Sequence, residues 1–512
     1  MTLPPDHWLV LPIVLPLLAA ALLLFLERIR PAWQAPVSLA VTVALGLLAF
    51  RFVALADSDR IGVYLLGNWQ APFGIVLVLD RLAAMMLALT SVIALASLTA
   101  AWRLSGRGPH FHAFFQLQLA GLNGAFLTGD VFNLFVFFEV LLIASYALLL
   151  HNAGGRTLRA GLHYVVINLV GASLFLIAAS LLYGVAGTLN FADLAVKLPT
   201  LPAWDAGLAR AAALLLLVVF GVKAALLPLG FWLPETYGSA SGPVAALFAI
   251  MTKVGIYAIV RVSFTVFGGS EGLMAEWGQP ALFALGMATI VFGAFGALAT
   301  KRLIALIAYL VVISSGTLIA ASTLGQAALG GALYYLVHTT LTVAALFLIV
   351  HAIADQRGSR TDRFGNGPPL AQPVLLGLLF LLSAVAAAGL PPVSGFIGKV
   401  LMLQGAAGAP LAAWFWAGVL GSGLLATFAL ARAGGSVFWK THGVAIGSPM
   451  PIGDRVCISI IAVVGLFWVV GAGSAAQYTA ATARQLAQPR GYIDAVMRQA
   501  PVPPAHSARP AP

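Results

Sequence analysis

"GDVFNLFVFFEVLLIASYALLLH", residues 129–151, is almost entirely apolar. At ~1.5 Å of rise per residue, a helix over residues 131–150 reaches across the ~30 Å hydrocarbon core of a bilayer. Glu139 sits in the middle of that run, where a charge costs ~2.5–3.5 kcal/mol on insertion scales. The stretch therefore reads as a membrane-spanning helix that keeps one acid inside. An acid held there has to face a partner, a file of water or the interior of a helix bundle.

The rest of the chain follows the same pattern. Of its 512 residues, 61% are hydrophobic and 8% charged, against roughly 25% charged in ordinary soluble domains. Apolar runs long enough to span fall at about 8–27, 34–54, 80–101, 112–128, 131–150, 160–184, 208–227, 241–267, 280–298, 302–322, 326–352, 372–404, 410–432 and 456–475. The expected fold class is an all-α integral membrane protein with about fourteen transmembrane helices. The first run follows "MTLPPDHW", which has no basic region, and shows no small-residue cleavage site, so it reads as a retained helix. Arg28, Arg30, Arg103, Arg107, Arg156, Arg159, Lys301, Arg302, Arg357, Arg360, Arg363, Arg432, Lys440 and Arg455 fall in alternate connections. The positive-inside rule makes those connections cytoplasmic and puts both termini outside.

The formal net charge of +11 does not indicate a nucleic-acid binder, because the basic residues are scattered over short loops without a patch or an aromatic platform. The single cysteine, Cys457, excludes a disulfide framework and a cysteine-ligated iron–sulfur cluster within the chain. No closely spaced His/Cys/Asp/Glu set suggests a metal site, and no glycine-rich phosphate loop follows a strand. No cofactor is expected. The tail after about residue 487 turns polar and proline-rich, and its last dozen residues are expected to be disordered.

Three of the six lysines, Lys223, Lys253 and Lys399, lie in apolar runs, whereas the loops are served mostly by arginine. Arginine stays protonated, while a desolvated lysine can release its proton. His338 is a further mid-helix titratable residue, and Tyr335, three residues earlier, shares its helix face. Pro228 and Pro234 follow Lys223, and Pro391-Pro392 interrupts the over-long run that contains Lys399. Proline inside a helix removes a backbone donor and crowds the preceding turn, so the helix should break just past Lys223 and about two turns before Lys399. Interrupted helices that carry buried ionisable groups point to an ion path. A helix-to-helix staple by Glu139 and one lysine is the structural alternative, but it leaves two lysines unpaired.

"AGLHYVVINLVGASLFLI" (160–177) can be laid over "ALYYLVHTTLTVAALFLI" (332–349), matching Ala160 with Ala332, Val165 with Val337, Leu169 with Leu341, Ala172 with Ala344 and all of "LFLI". These are the sixth and eleventh expected helices. The Lys223 and Lys399 helices are the seventh and twelfth. An odd separation reverses direction through the membrane, which predicts two inverted five-helix repeats. The expected organisation is helices 1–3 over 1–106, a first repeat over 107–270, a second over 278–434, a last transmembrane helix within 435–480 and a partly disordered tail over 481–512.

"GAFLTGDVFNLFVFFEVLLIASYALL", "GVKAALLPLGFWLPETYGSASGPVAALFAIMTKVGIYAIVR" and "AGLPPVSGFIGKVLML" together resemble the antiporter-like subunits shared by respiratory complex I and the Mrp multi-subunit cation/proton antiporters, also called Pha or Mnh. The wording is closest to the D-type subunits and covers about residues 75–435. The resemblance implies that Glu139 and Lys223 form a charge pair, that Lys253 is a central relay, that His338 lies on the same polar axis and that Lys399 closes it toward an exit. Complex I M subunits usually carry glutamate where this chain has Lys399, whereas Mrp D and complex I L and N subunits carry lysine. The implied function is a secondary transporter subunit rather than an enzyme. It would exchange protons for Na+ or K+ in the bacterial inner membrane beside A, B, C, E, F and G type subunits. The other reading is a proton-pumping subunit of a complex I-like NADH-quinone oxidoreductase or membrane-bound hydrogenase.

Overall fold

The computed structural model describes residues 5–102, 108–151, 154–268, 278–358, 361–445 and 447–502. The first helices are α1 (Leu11–Ile29) and α2 (Gln34–Asp57), followed by a hairpin of β1 (Gly62–Leu65) and β2 (Val76–Leu79), then α3 (Arg81–Ala101), α4 (Phe111–Leu127), α5 (Val131–Leu150), α6 (Gly155–Ala186), α7 (Phe191–Lys197), α8 (Ala206–Ala224), α9 (Trp232–Tyr237), α10 (Gly242–Phe248) and α11 (Met251–Arg261). The second half holds α12 (Gln279–Ala299), α13 (Leu303–Ser322), α14 (Gln326–Arg357), α15 (Pro373–Ala388), α16 (Ser394–Gly405), α17 (Ala412–Gly434), α18 (Ile452–Val470), α19 (Ala472–Ala487) and α20 (Arg490–Met497).

Twelve helices among the described residues are long and apolar enough to cross a membrane. Two of the fourteen expected runs fall outside that set: α4 has 17 residues, and the run over 372–404 is broken into α15 and α16. The most buried spans are α3, α10 with α11, α13 and α14, so the core is a central row of helices with more lipid-exposed ones around it.

The proline-bearing breaks fall where the sequence puts them. α8 stops one residue after Lys223, with Ala225 left-handed (φ 55°), and α15 stops at Gly389 (φ 77°) ahead of Pro391-Pro392. A third interruption has no proline signal. The run expected to be continuous over 241–267 is split between α10 and α11, where Ala249 N–H is shared by the carbonyls of Ala245 and Ala246 and Ile250 N–H bonds Leu247 O. Such i→i−3 bonds tighten the turn, and Lys253 lies just beyond it. The all-α expectation also has an exception in the β1–β2 hairpin, paired antiparallel from Gly62↔Leu79 to Leu65↔Val76. Past the last expected span, α19 packs on α14, and α20 packs on α7 and β1. Asn68 and Val502 then exchange two hydrogen bonds, of 2.8 and 2.7 Å. Arg103, Arg107, Arg360 and the expected disordered dozen at the chain end, apart from 501–502, lie outside the described residues.

The two halves share a local chemistry at a displacement of 172 residues. α5 and α13 each have 20 residues, and α6 and α14 each have 32. Gly121 packs on Leu141 and Gly124 on the Phe137 ring, just as Gly293 packs on Ile313 and Gly296 on the Tyr309 ring; a Cβ on any of the four would come closer than 3.0 Å to its neighbour. The entries to α5 and α13 also correspond, since Asp130 N–H and Arg302 N–H each donate to a threonine hydroxyl two residues earlier, at 3.3 Å.

A buried ion pair ties the hairpin end of α3 to the end of α11. Arg261 donates to both carboxylate oxygens of Asp80, at 2.5 and 2.7 Å, with the side chains 3% and 2% exposed. Asp80 also caps α3 through Ala83 N–H, and the Arg261 guanidinium lies over the rings of Tyr257 and Tyr492.

Gly296→Leu should destabilise the purified chain by about 1–3 kcal/mol through overpacking against Tyr309; a thermal midpoint equal to wild type would contradict the contact. Arg261→Met should cost about 3–5 kcal/mol by leaving Asp80 buried and unpaired. Combining it with Asp80→Asn should recover part of that loss. Denaturation that shows no recovery in the double variant would refute the pairing.

Candidate functional site

α5 carries Glu139 at mid-helix, where its side chain is half-buried and its charge acts on Lys223 and Tyr146. Glu139 and Lys223, the charge pair implied by the resemblance, do not meet in a direct ion pair within 4.0 Å, and their charges act on each other through space. Lys223 Nζ instead donates to Asn168 Oδ1 of α6 at 2.9 Å and lies 5.8 Å from the centre of the Phe138 ring. Asn168 is oriented for this, since its Nδ2 donates to Tyr164 O (2.8 Å) and so presents the oxygen to the lysine. Tyr164 is fixed in turn by Ser145 and by stacking on Trp232. A neutral amide thus stands where a carboxylate was expected.

Breaking a helix leaves carbonyls without intrahelical partners, and in hydrocarbon they must be satisfied locally. At the end of α8 the Trp232 indole N–H donates to Val222 O (3.1 Å), which leaves the Lys223 ammonium free to reach Asn168. Gly255 of α11 crosses at this point, where a Cβ would come closer than 3.0 Å to the backbone of Lys223 and Ala224. Lys253, two residues before that crossing, is completely buried and donates to Ser314 Oγ of α13 at 2.7 Å. The serine hydroxyl donates in turn to Val311 O (2.8 Å). Nothing acidic bonds Lys253 among the described residues.

α13 continues the row, because Thr317, one turn beyond Ser314, lines a small cavity with Tyr335, Thr339 and Thr342 of α14, Ser422 and Gly423 of α17, and Lys399 of α16. Its volume of about 20 Å³ is enough for one water. Lys399 Nζ donates to Ala388 O (2.6 Å), the last carbonyl of α15, and so caps the helix whose break it follows. His338 serves the same break. Its Nε2 lies 3.1 Å from Ala386 O, which can only accept, so Nε2 carries the proton. When the ring is neutral, Nδ1 accepts from the Ser394 hydroxyl at 2.7 Å. Tyr335 packs on the imidazole at a 5.7 Å ring separation.

The structure thus brings Lys223, Lys253, His338, Tyr335 and Lys399 into one row across α8, α11, α13, α14 and α16, with Pro228, Pro391 and Pro392 in its two breaks. Glu139 stands beside one end, acting through space. Asn168 and Ser314 are the members that the sequence reading missed; a lone asparagine in "VVINLVG" and a serine pair in "VVISSGT" were the available signals. Every lysine in the row bonds a neutral oxygen, so none is locked to a fixed counter-charge, and adjacent hydroxyls and one water-sized space offer steps for proton transfer.

Comparison with known proteins agrees with this architecture. Residues 128–425 match the family model described as NADH:quinone oxidoreductase/Mrp antiporter, TM. The chain is 43% identical to the D component of a probable K(+)/H(+) antiporter of Rhizobium meliloti (strain 1021), over 96% of this chain and 98% of the relative. It is 34% identical to the D component of the Na(+)/H(+) antiporter of Bacillus subtilis (strain 168), over 96% of this chain and all of that one. Among solved structures, a chain of the Mrp complex from Dietzia sp. DQ12-45-1b superposes with a TM-score of 0.88 at 27% identity, covering 97% of this chain and 100% of that chain. A chain of respiratory complex I from Thermus thermophilus superposes with a TM-score of 0.79 at 25% identity, covering 94% and 99%. By the extent of the matched model and by near full-length relatedness, the chain belongs to the NADH:quinone oxidoreductase/Mrp antiporter transmembrane family.

Proposed function

We propose that this chain is the D-type subunit of a multi-subunit monovalent cation/proton antiporter, and that protons cross it along Glu139, Lys223, Lys253, His338 and Lys399 while Na+ or K+ moves in the opposite direction. The observation that carries the assignment is the row of two buried lysines, Lys223 and Lys253, and the half-buried Lys399, each bonded to a neutral oxygen, in a chain whose near full-length relatives are named as D components of cation/proton antiporters. A lysine without a fixed counter-ion can exist in either protonation state, and the charge on one biases the next. The function is transport rather than enzymatic catalysis. The partners are the A, B, C, E, F and G type subunits, and the setting is the bacterial inner membrane.

Two five-helix units related by inversion, within fourteen crossings, account for the matched helix lengths and for the glycine contacts displaced by 172 residues. The basic connections are assigned to the cytoplasmic side and the termini to the outside by the positive-inside rule. Not every basic residue there is a free loop charge. Arg302 pairs with Asp362 at 3.1 Å, and Arg357 is fully buried against the carbonyls of Arg363 and Gly365. The complex I-like proton pump is the second reading, favoured by the Thermus thermophilus likeness, and genes for cysteine-rich iron–sulfur subunits beside this one would support it.

Because Glu139 is joined to Lys223 by no ion pair, Glu139→Gln should abolish exchange in everted vesicles while changing stability by no more than about 0.5 kcal/mol. A failure of the complex to assemble would show Glu139 to be a structural staple instead. Lys399→Arg keeps the charge but does not release a proton, so it should lower exchange as far as Lys399→Ala does, by at least about tenfold, with normal complex levels in both. Wild-type exchange by Lys399→Arg would leave Lys399 as no more than a cap on Ala388.

A further inference from the structure

On the outer face of the bundle, a slot of about 620 Å³ runs between α15 and α17. Its walls include Gly377, Phe380 and Ala384 of α15 and Leu430, Ala431 and Gly434 of α17, and Thr427 is the only polar residue apart from Trp439 at one end. Thr427 turns its hydroxyl inward to Gly423 O (2.8 Å) and so presents only its methyl side. The slot extends from Pro373 to Ala388 and Leu390, which at ~1.5 Å per residue is about 24 Å along α15.

Three observations decide what fits it. A helix ~10 Å across and ~24 Å long fills roughly 1,900 Å³, far more than the slot holds, whereas an extended hydrocarbon chain is narrow enough. One end of the slot is polar and cationic. Trp439 is 80% exposed there, the kind of residue that sits at the headgroup level, and exposed Lys440 follows it. Gly365 N–H binds Ser436 Oγ at 2.7 Å and Gly367 bridges Thr441, which brings exposed Arg363 to the same end. Among the described residues neither Lys440 nor Arg363 has an ion-pair partner. The other end stops at Ala388, part-way through the helix run and in the wall behind Lys399.

We propose that the slot holds one acyl chain of an anionic phospholipid, with its headgroup at Lys440 and Arg363 and its chain against Ala384 and Ala388. Basic residues beside an apolar cleft are how membrane proteins hold anionic lipids. The chain also acts as a gasket. Ala388, whose carbonyl binds Lys399, and Thr427, whose hydroxyl holds the Gly423 turn over Lys399 Nζ, are the partition between slot and cavity. Only this gasket role rests on the proton path proposed above; occupancy of the slot does not.

The test uses the whole complex reconstituted with phosphatidylglycerol carrying a photoreactive group on its acyl chain, with the matching phosphatidylcholine as a second arm, followed by mapping of labelled peptides. Labelling of 373–390 and 427–439 should exceed that of the lipid-facing α6 residues Leu162, Val166 and Leu169 several-fold in the phosphatidylglycerol arm. Ala431→Phe, which fills the slot, should remove the excess, and Lys440→Glu should reduce it. Gly377→Ala, whose Cβ meets only Phe438 at ordinary contact distance, should fold normally and lower it slightly. Equal labelling of both faces would reduce the slot to ordinary lipid contact and overturn the proposal. So would a Gly377→Cys variant that cross-links to another subunit while the lipid label is absent, since a protein segment would then be the occupant. Both readouts are independent of exchange activity, so a failed proton path leaves the lipid result intact and the reverse also holds.

Discussion

A helix interrupted inside hydrocarbon exposes carbonyls that water cannot reach, and each has to find a donor from the protein itself. That requirement shapes the polar interior of this chain. At the break after α15, Lys399 binds Ala388 O, and His338 joins the Gly389 N–H on Ala386 O. At the break after α8, the Trp232 indole joins the Ala225 N–H on Val222 O. The same backbone geometry therefore makes titratable groups responsible for satisfaction in one half and a neutral ring responsible in the other. Lys399 is held by the backbone it serves, while Lys223 is released to an asparagine.

The central row inherits its order from helix contacts that admit no side chain. Gly255 lets α11 touch the backbone at Lys223, and Gly395 places α16 against His338 and Ala386 O. Crossings this close fix where the ammonium groups lie, because interiors at crystal-like density leave little room for adjustment. α13 then joins the halves through two hydroxyls a turn apart, Ser314 beside Lys253 and Thr317 beside the Lys399 cavity. Positioning rests on glycine and backbone, and the chemistry rests on a few polar tips.

The spanning helices were legible because an apolar run of about twenty residues has few alternatives, and the breaks at α8 and α15 were legible because proline marks them. The α10–α11 interruption was not, since no residue in "AALFAIMTK" announces it. The lysines stood out individually, but their partners did not, because a buried ammonium can donate to any oxygen and the apolar helices hold many candidate oxygens. Asp80 and Arg261 are 181 residues apart, and each sits at a helix end where a charge looks ordinary. The β1–β2 hairpin was invisible because each strand has only four residues.

The clasp between Asn68 and Val502, together with the seating of α20 on β1 and α7, ties early-made chain to late-made chain. The Tyr492 ring that covers Arg261 comes from the same late segment. A nascent chain threaded into the membrane helix by helix would hold the Asp80–Arg261 pair uncovered until residues near 490 arrive. Closure of this corner therefore waits for the segment near residue 490, which supplies the ring over Arg261 and the packing against β1 and α7.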